Sequence, residues 1–166
     1  MLLATPLLRS FKLAWPGARI DALVFRGTEP VLANNTDLHS VLTVAERPRF
    51  AEHARFHAAI LRRYDLAVSL LTGDRPTLYA WAAGRSRAGL QMNDRTAWLK
   101  RRLLDVRVPF DDLNTHTIRM NLALADALRV TAVPEVVVSW GANDAQQVEA
   151  LGLQGSDEPY AVLHPS

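Results

Sequence analysis

The segment from Tyr64 to Gly84, YDLAVSLLTGDRPTLYAWAAG, constrains the fold of this chain more than any other stretch. Its apolar run ends at the turn residues Thr72–Asp74, and an apolar run of this length bounded by turn signals predicts a buried strand. Pro76 favours the first turn of a helix, where no backbone N–H is needed, and Gly84 favours the end of that helix. We therefore predict a strand, a tight turn and a helix whose N-terminus faces the strand's carboxyl end. In open α/β sheets, this is the edge where ligands bind.

Composition limits the class of protein that the chain can be. Its 166 residues suit one domain or one lobe, and its hydrophobic fraction of 49% is that of a globular protein. The absence of cysteine excludes disulfides, thiol catalysis and thiolate metal sites. A net charge of +2 gives no general attraction to nucleic acid. Charge is nevertheless uneven, because seven basic and two acidic side chains lie between Arg85 and Arg107.

Hydrophobic periodicity predicts helices that alternate with short strands along the whole chain. The predicted helices cover residues 1–15, 49–63, 76–83, 114–128, with Asn114 or Thr115 as the cap, and 144–151. The predicted strands cover residues 19–25, 41–44, 66–71, 87–90, 106–108, 135–140 and 160–163, and the basic segment before residue 106 is expected to be loop and irregular helix. This alternation indicates an α/β fold with a parallel, doubly wound sheet. Because the order opens with a helix and closes with a strand, we also expect both ends to be incomplete.

Five segments resemble, in their order along the chain, one enzyme family. Leu2–Pro6 is similar to the end of a Gly-Asp-x-Leu-Leu-x-Thr-Pro turn, and Pro16–Asp21 to the start of the family's second strand. Tyr64–Gly84 resembles the middle of its first lobe, His116–Leu128 the start of a helix before the interdomain link, and Tyr160–Pro165 the first strand of its second lobe. The family is glycosyltransferase family 9, the ADP-heptose:lipopolysaccharide heptosyltransferases.

The resemblance implies a division of the chain into two parts. Residues 1–152 would be the Rossmann-like, acceptor-side N-terminal lobe of a GT-B glycosyltransferase, lacking its first strand. Residues 153–166 would be the link and the first strand of a donor lobe. The family's Gly-Asp pair would precede Met1, and its Asp is the expected general base, so no catalytic residue is assigned within this chain. By family the protein would be an enzyme, but the chain alone is expected to be inactive and marginally stable.

The chemistry that the resemblance implies is inverting sugar transfer. A carboxylate would deprotonate an acceptor hydroxyl, which would attack the anomeric carbon of a nucleotide sugar such as ADP-heptose. The acceptor would be the phosphorylated inner core of lipopolysaccharide, with no cofactor, metal or nucleic acid. The location would be cytoplasmic, with peripheral contact at the inner face of the bacterial inner membrane as an option. The implied acceptor-binding residues are Thr5, Thr72, Asp74, Arg75 and His116, and the implied donor-binding residues are His164 and Ser166.

Each of these features also has an ordinary structural interpretation. The turn at Thr72–Arg75 and the helix starts near Thr5 and His116 suit any α/β fold, and a run of basic residues is usually a solvated face rather than a surface for lipopolysaccharide or membrane. His53 and His57 have the spacing of metal ligands, but the sequence offers no third ligand. The alternative function is a non-catalytic α/β binding module or a degenerate remnant of the enzyme.

Overall fold

The computed structural model of the protein describes residues 1–92 and 97–150. Helices α1 to α6 are Thr5–Ala14, Phe50–Ile60, Asp74–Ala83, Ala97–Leu103, Thr117–Ala127 and Ala142–Ala150. Strands β1 to β5 are Asp21–Phe25, Ser40–Val44, Tyr64–Ser69, Gly84–Gln91 and Val106–Pro109. Short 3-10 turns cover Leu2–Ala4 and Glu29–Val31.

All strand pairs in this part of the chain are parallel, and helices connect them. Strand β1 pairs with β2, and β4 lies between β3 and β5 in a second sheet. The predicted parallel α/β fold is therefore confirmed. The single sheet of a doubly wound fold is instead divided in two, because no strand of the described residues lies between β1 and β3.

The main hydrophobic core surrounds β4. Ala88 and Leu90 of this strand are almost completely buried, and α1 and α5 cover them with Leu7 and Leu124. Burial of one leucine side chain stabilises a fold by about 2 kcal/mol, so this layer supplies much of the driving force for folding. The same cluster includes Phe11, Val108, Met120, Ala125 and Val130.

A second, smaller cluster joins the two sheets. Val44 of β2 and Ile60 of α2 pack in it with Tyr79 and Ala83 of α3. Phe25 of β1 and Tyr64 and Ala67 of β3 pack against the same cluster. The two sheets therefore share one apolar layer, although no backbone ladder connects them.

A side-chain hydrogen bond connects the start of β3 to the start of β1. The Tyr64 hydroxyl donates to Asp21 Oδ2 at 2.8 Å, and the other oxygen of Asp21 accepts from Ser40. Burial, and then the hydrogen bond and the charge of Asp21, raise the pKa of Tyr64 to about 12. The phenol therefore stays protonated and keeps this link at neutral pH.

The predicted strand over residues 135–140 is wrong. Residues 130–140 carry no regular secondary structure and are tied instead to α1. The backbone N–H of Val133 donates to Ser10 Oγ at 2.9 Å, and that of Val137 donates to Thr5 Oγ1 at 3.0 Å. Buried hydroxyl groups thus satisfy donors that a sheet ladder would otherwise use.

Three element boundaries also differ from the predictions. Strand β4 begins directly at Gly84 rather than at residue 87, so the helix before it has no following loop. Part of the basic segment forms the helix α4. His116, rather than Asn114 or Thr115, caps α5, because its Nδ1 accepts the backbone N–H of Ile118. The predicted strand at residues 160–163 lies outside the described residues.

Candidate functional site

The carboxyl ends of both sheets meet at one edge of the molecule. Arg75, in the first turn of α3 after β3, donates through Nη1 to the Glu46 carbonyl that follows β2. Its guanidinium carbon also lies 5.2 Å from the centre of the Phe25 ring, at the end of β1. Arg75 therefore connects the ends of three strands. A guanidinium has five N–H donors, so it can hold this carbonyl and still bind an anion.

The turn between β3 and α3 is closed by its own hydrogen bonds. Gly73 caps α3, and its carbonyl accepts both the hydroxyl of Thr77 at 2.9 Å and the backbone N–H of that residue. Thr72 is half-buried beside it. The first turn of α3 and the side chain of Arg75 thus lie next to each other, and both favour negative charge.

Asp74 forms an ion pair with a buried lysine. Its Oδ1 lies 3.4 Å from Nζ of Lys100, whose side chain is only 2% exposed. A buried ammonium group is stable only with a partner of opposite charge, so this contact fixes α4 against the start of α3. Sequence reasoning placed Lys100 in a general basic cluster and missed this contact. The burial of one lysine among exposed arginines has no signature in the local sequence.

The start of α1 lies beside α5 at the same end of the fold. The buried side-chain amide of Asn121 donates to the Leu3 carbonyl at 3.0 Å, which holds the turn before α1 against α5. His116, at the start of α5, is exposed. Because its Nδ1 accepts a hydrogen bond, the proton of the neutral ring is on Nε2.

Thr5 has a structural position at this end. Its side chain is fully buried, and its hydroxyl donates to the Leu2 carbonyl at 2.8 Å while accepting from Val137. The structure thus brings Thr72, Asp74 and Arg75 together in one turn. Thr5 and His116 lie at the starts of α1 and α5, two helices that are adjacent to each other. His164 and Ser166 lie outside the described residues. Binding of an acceptor by any of these side chains stays a prediction.

The two histidines of α2 pack against an aromatic ring. The rings of His53 and His57 lie 4.5 Å apart, and both contact Tyr79. No group of three histidine, cysteine, aspartate or glutamate residues within residues 1–92 and 97–150 could hold a metal ion. Burial, and then the neighbouring His53, lower the pKa of His57 from its ordinary value of 6.5.

We expect the chain to lose stability in mild acid, in part through His57. The unfolded chain binds a proton at this ring at higher pH than the folded chain does, so the free energy of unfolding falls as the pH drops through 6.5 toward the lowered value. Urea denaturation at pH 7.5 and pH 5.5 measures this loss. The loss in free energy of unfolding between these two pH values should be smaller in His57→Gln than in the wild type. In His39→Gln, a control at an exposed position, it should equal the loss in the wild type. Equal losses in wild type and His57→Gln would contradict the assignment.

Comparison with known proteins places this fold. No family model matches the sequence. The chain is 34% identical over 76 residues to lipopolysaccharide heptosyltransferase 3 of Escherichia coli, a stretch that covers 42% of this chain and 22% of that protein. The crystal structure of a glycosyltransferase family 9 protein from Veillonella parvula matches with a TM-score of 0.74 and 20% identity, over 94% of this chain and 47% of that one.

Two further solved structures are also similar in fold. E. coli ADP-heptose lipopolysaccharide heptosyltransferase II matches with a TM-score of 0.63 and 19% identity, over 93% of this chain and 48% of that one. The E. coli heptosyltransferase WaaC with ADP matches at 0.64 and 18%, over 79% and 44%. The fold is thus the parallel α/β fold seen in GT-B glycosyltransferases, and the predicted resemblance to glycosyltransferase family 9 is confirmed. The chain spans about half the length of these structures and about a fifth of its curated relative.

Proposed function

We propose that this chain is the acceptor-side lobe of a heptosyltransferase-type glycosyltransferase. The fold match over 94% of the chain to a family 9 structure is the observation that carries this proposal. The reaction would transfer heptose from ADP-heptose to the inner core of lipopolysaccharide, with inversion at the anomeric carbon. Residues 1–152 would form this lobe, and residues 153–166 would lead into a donor lobe.

The edge that holds Arg75 supports binding of a phosphorylated acceptor. A guanidinium recognises phosphate oxygens with paired hydrogen bonds, and the N-terminus of α3 adds a favourable dipole. Arg75 would contact an acceptor phosphate, Thr72 an acceptor hydroxyl, and His116 would donate from Nε2. Asp74 would have an indirect role, because its carboxylate already forms an ion pair with Lys100 that holds α4 against the start of α3. The general base would come from the turn that precedes α1 in the family.

A lipopolysaccharide acceptor would also require the protein to associate with the membrane. Lipopolysaccharide is an amphiphile, so the lobe would work at the inner face of the inner membrane as a peripheral protein. Among residues 1–92 and 97–150, no helix has both the length and the apolar character to cross a bilayer. Exposed arginines of α4, Arg101 and Arg102, would face anionic headgroups.

The direct test is binding of an acceptor that lacks heptose. Lipopolysaccharide from a strain whose inner core ends before the first heptose should bind the chain saturably, and Arg75→Gln should raise Kd about tenfold, because a charge-assisted hydrogen bond contributes about 1.5–3 kcal/mol. Arg63→Gln is the matched control, because Arg63 precedes β3 at the opposite edge. We expect its Kd to equal that of the wild type.

Three outcomes would contradict the proposal. Absence of saturable binding would favour the alternative of a degenerate remnant. Equal Kd values for wild type and Arg75→Gln would show that the acceptor does not bind at the edge that holds Arg75. Tight binding of ADP to the chain by itself would contradict the division into an acceptor-side lobe and a separate donor lobe.

A further inference from the structure

Helix α2 turns two histidines toward α3. His53 and His57 are four residues apart, so their side chains lie on the same face of the helix. Both rings contact the ring of Tyr79 on α3, at 5.5 Å and 4.9 Å between ring centres, and they lie 4.5 Å from each other. These three side chains therefore form one cluster between the two helices, which we call the α2–α3 ring cluster.

Each member of the α2–α3 ring cluster has a buried polar atom without a hydrogen bond. Within the part of the chain that the structure describes, no group bonds to Nε2 of His53, Nε2 of His57 or the hydroxyl oxygen of Tyr79. Tyr79 as a whole is only 6% exposed. Buried polar atoms normally have a partner, because their hydration is otherwise lost without compensation. Three unpaired polar atoms in one cluster therefore indicate a ligand that they share.

Charges around the cluster do not by themselves select this ligand. The two charged groups that act on the phenol of Tyr79 are Arg75 and Glu52, which have opposite signs. Arg75 also binds the Glu46 carbonyl, and Glu52 is paired with Arg26 at 3.2 Å. The chemistry of the three donor atoms consequently determines what the cluster can bind.

Two imidazole nitrogens and a phenol oxygen favour a transition metal. Imidazole binds zinc, copper, nickel and iron, whereas calcium and magnesium take oxygen ligands. A metal–nitrogen bond is about 2.0–2.1 Å long, so two nitrogens that share an ion lie within about 4 Å of each other. Ring centres 4.5 Å apart are compatible with this requirement. The third ligand is a phenol, which explains why a set limited to histidine, cysteine and carboxylates is absent among the described residues.

We propose that His53, His57 and Tyr79 bind one divalent transition-metal ion between α2 and α3, through Nε2 of both histidines and the phenol oxygen. The phenol would release its proton to solvent as the metal–oxygen bond forms. Three protein ligands leave at least one coordination position for water. Because the ion would join two helices, it would stabilise the folded chain. The inference is independent of the proposed sugar transfer.

Titration with copper(II) tests the proposal on the intact chain after a chelator has removed bound metals. Among the divalent metals of its row, copper(II) binds most tightly, and the chain has no cysteine that competes for it. We expect one copper per chain and a higher urea midpoint of unfolding. His53→Gln should raise Kd about tenfold or more and remove the shift in midpoint. His39→Gln is the matched control, because it removes an exposed histidine, and its Kd should equal that of the wild type.

Tyr79→Phe isolates the third ligand, because it removes one oxygen and keeps the ring that packs against both histidines. The wild-type chain with copper should show a phenolate-to-copper charge-transfer absorption in the visible range. Tyr79→Phe should lose this absorption and raise Kd about tenfold. Urea denaturation of the metal-free variants establishes that each is folded.

Three results would overturn the proposal. Equal Kd values for wild type and His53→Gln would show that copper binds elsewhere on the chain. A wild-type spectrum without charge-transfer absorption would exclude the phenol as a ligand. Equal Kd values for wild type and Tyr79→Phe would reduce the site to a pair of histidines, with water rather than a metal as the partner of the buried phenol.

Discussion

Gly84→Ala is expected to lower the free energy of unfolding by about 3 kcal/mol, the upper end of the range for overpacking. A Cβ atom at this position would lie 2.6 Å from the Ser86 carbonyl oxygen, 2.7 Å from Ala67 Cβ and 2.9 Å from Ala67 N. Two of these neighbours are backbone atoms, and the third is a Cβ fixed to the backbone of β3. None can rotate away, so the β3–β4 pair has to shift.

The same substitution at two less crowded glycines provides the comparison for this experiment. At Gly89 the nearest atoms, from Leu104 and Ser69, would lie 3.1–3.2 Å from the new Cβ, and the leucine methyl can move. At Gly17 nothing lies within 4 Å. Urea denaturation should therefore rank the losses as Gly84→Ala, then Gly89→Ala, then Gly17→Ala, the last within about 0.5 kcal/mol of wild type. Wild-type stability in Gly84→Ala would show that β3 and β4 do not approach as closely as the structure has them.

Leu124→Ala should cost about 2–5 kcal/mol, the range for truncating a buried leucine. Leu124 is completely buried in α5, within the layer that covers β4 together with α1. The deleted atoms leave a cavity between two helices and a strand, which can collapse only in part. Because total stability of a domain is typically about 5–15 kcal/mol, this one change can leave much of the chain unfolded at room temperature.

The matched control makes the same chemical change on the surface. Leu113, in the loop between β5 and α5, is 90% exposed. Leu113→Ala should change the free energy of unfolding by less than about 0.5 kcal/mol. A loss in Leu124→Ala as small as in Leu113→Ala would mean that α5 does not pack on β4 in solution.

The strand, turn and helix between Tyr64 and Gly84 were predictable because their signals are local. An apolar run, a Thr-Gly-Asp turn and a proline in the first helical turn each act over a few residues, and the structure has β3 at Tyr64–Ser69 and α3 at Asp74–Ala83. The placement of Arg75 at the carboxyl edge follows from the parallel topology. The parallel pairing of β3 with β4 was also predictable, because a helix connects these two strands.

The error at residues 135–140 has a long-range cause. Val136–Val138 has the composition of a strand, but the N–H of Val137 donates to the hydroxyl of Thr5, 132 residues earlier in the sequence, and the N–H of Val133 just before the segment donates to Ser10. No pattern within the segment reports on those partners. Lys100 is a similar case, because whether a lysine is buried depends on the position of Asp74 in another helix.

The packing of α1 against α5 has a consequence for biosynthesis. Leu3 and Asn121 are joined by a hydrogen bond although they are 118 residues apart in sequence, and Ser10 and Val133 are 123 apart. The strand pairs, in contrast, join residues about 20 positions apart. Since domains are translated at about 5–20 residues per second, α1 is synthesised several seconds before α5, and the apolar face of α1 that packs on α5 stays uncovered during that time.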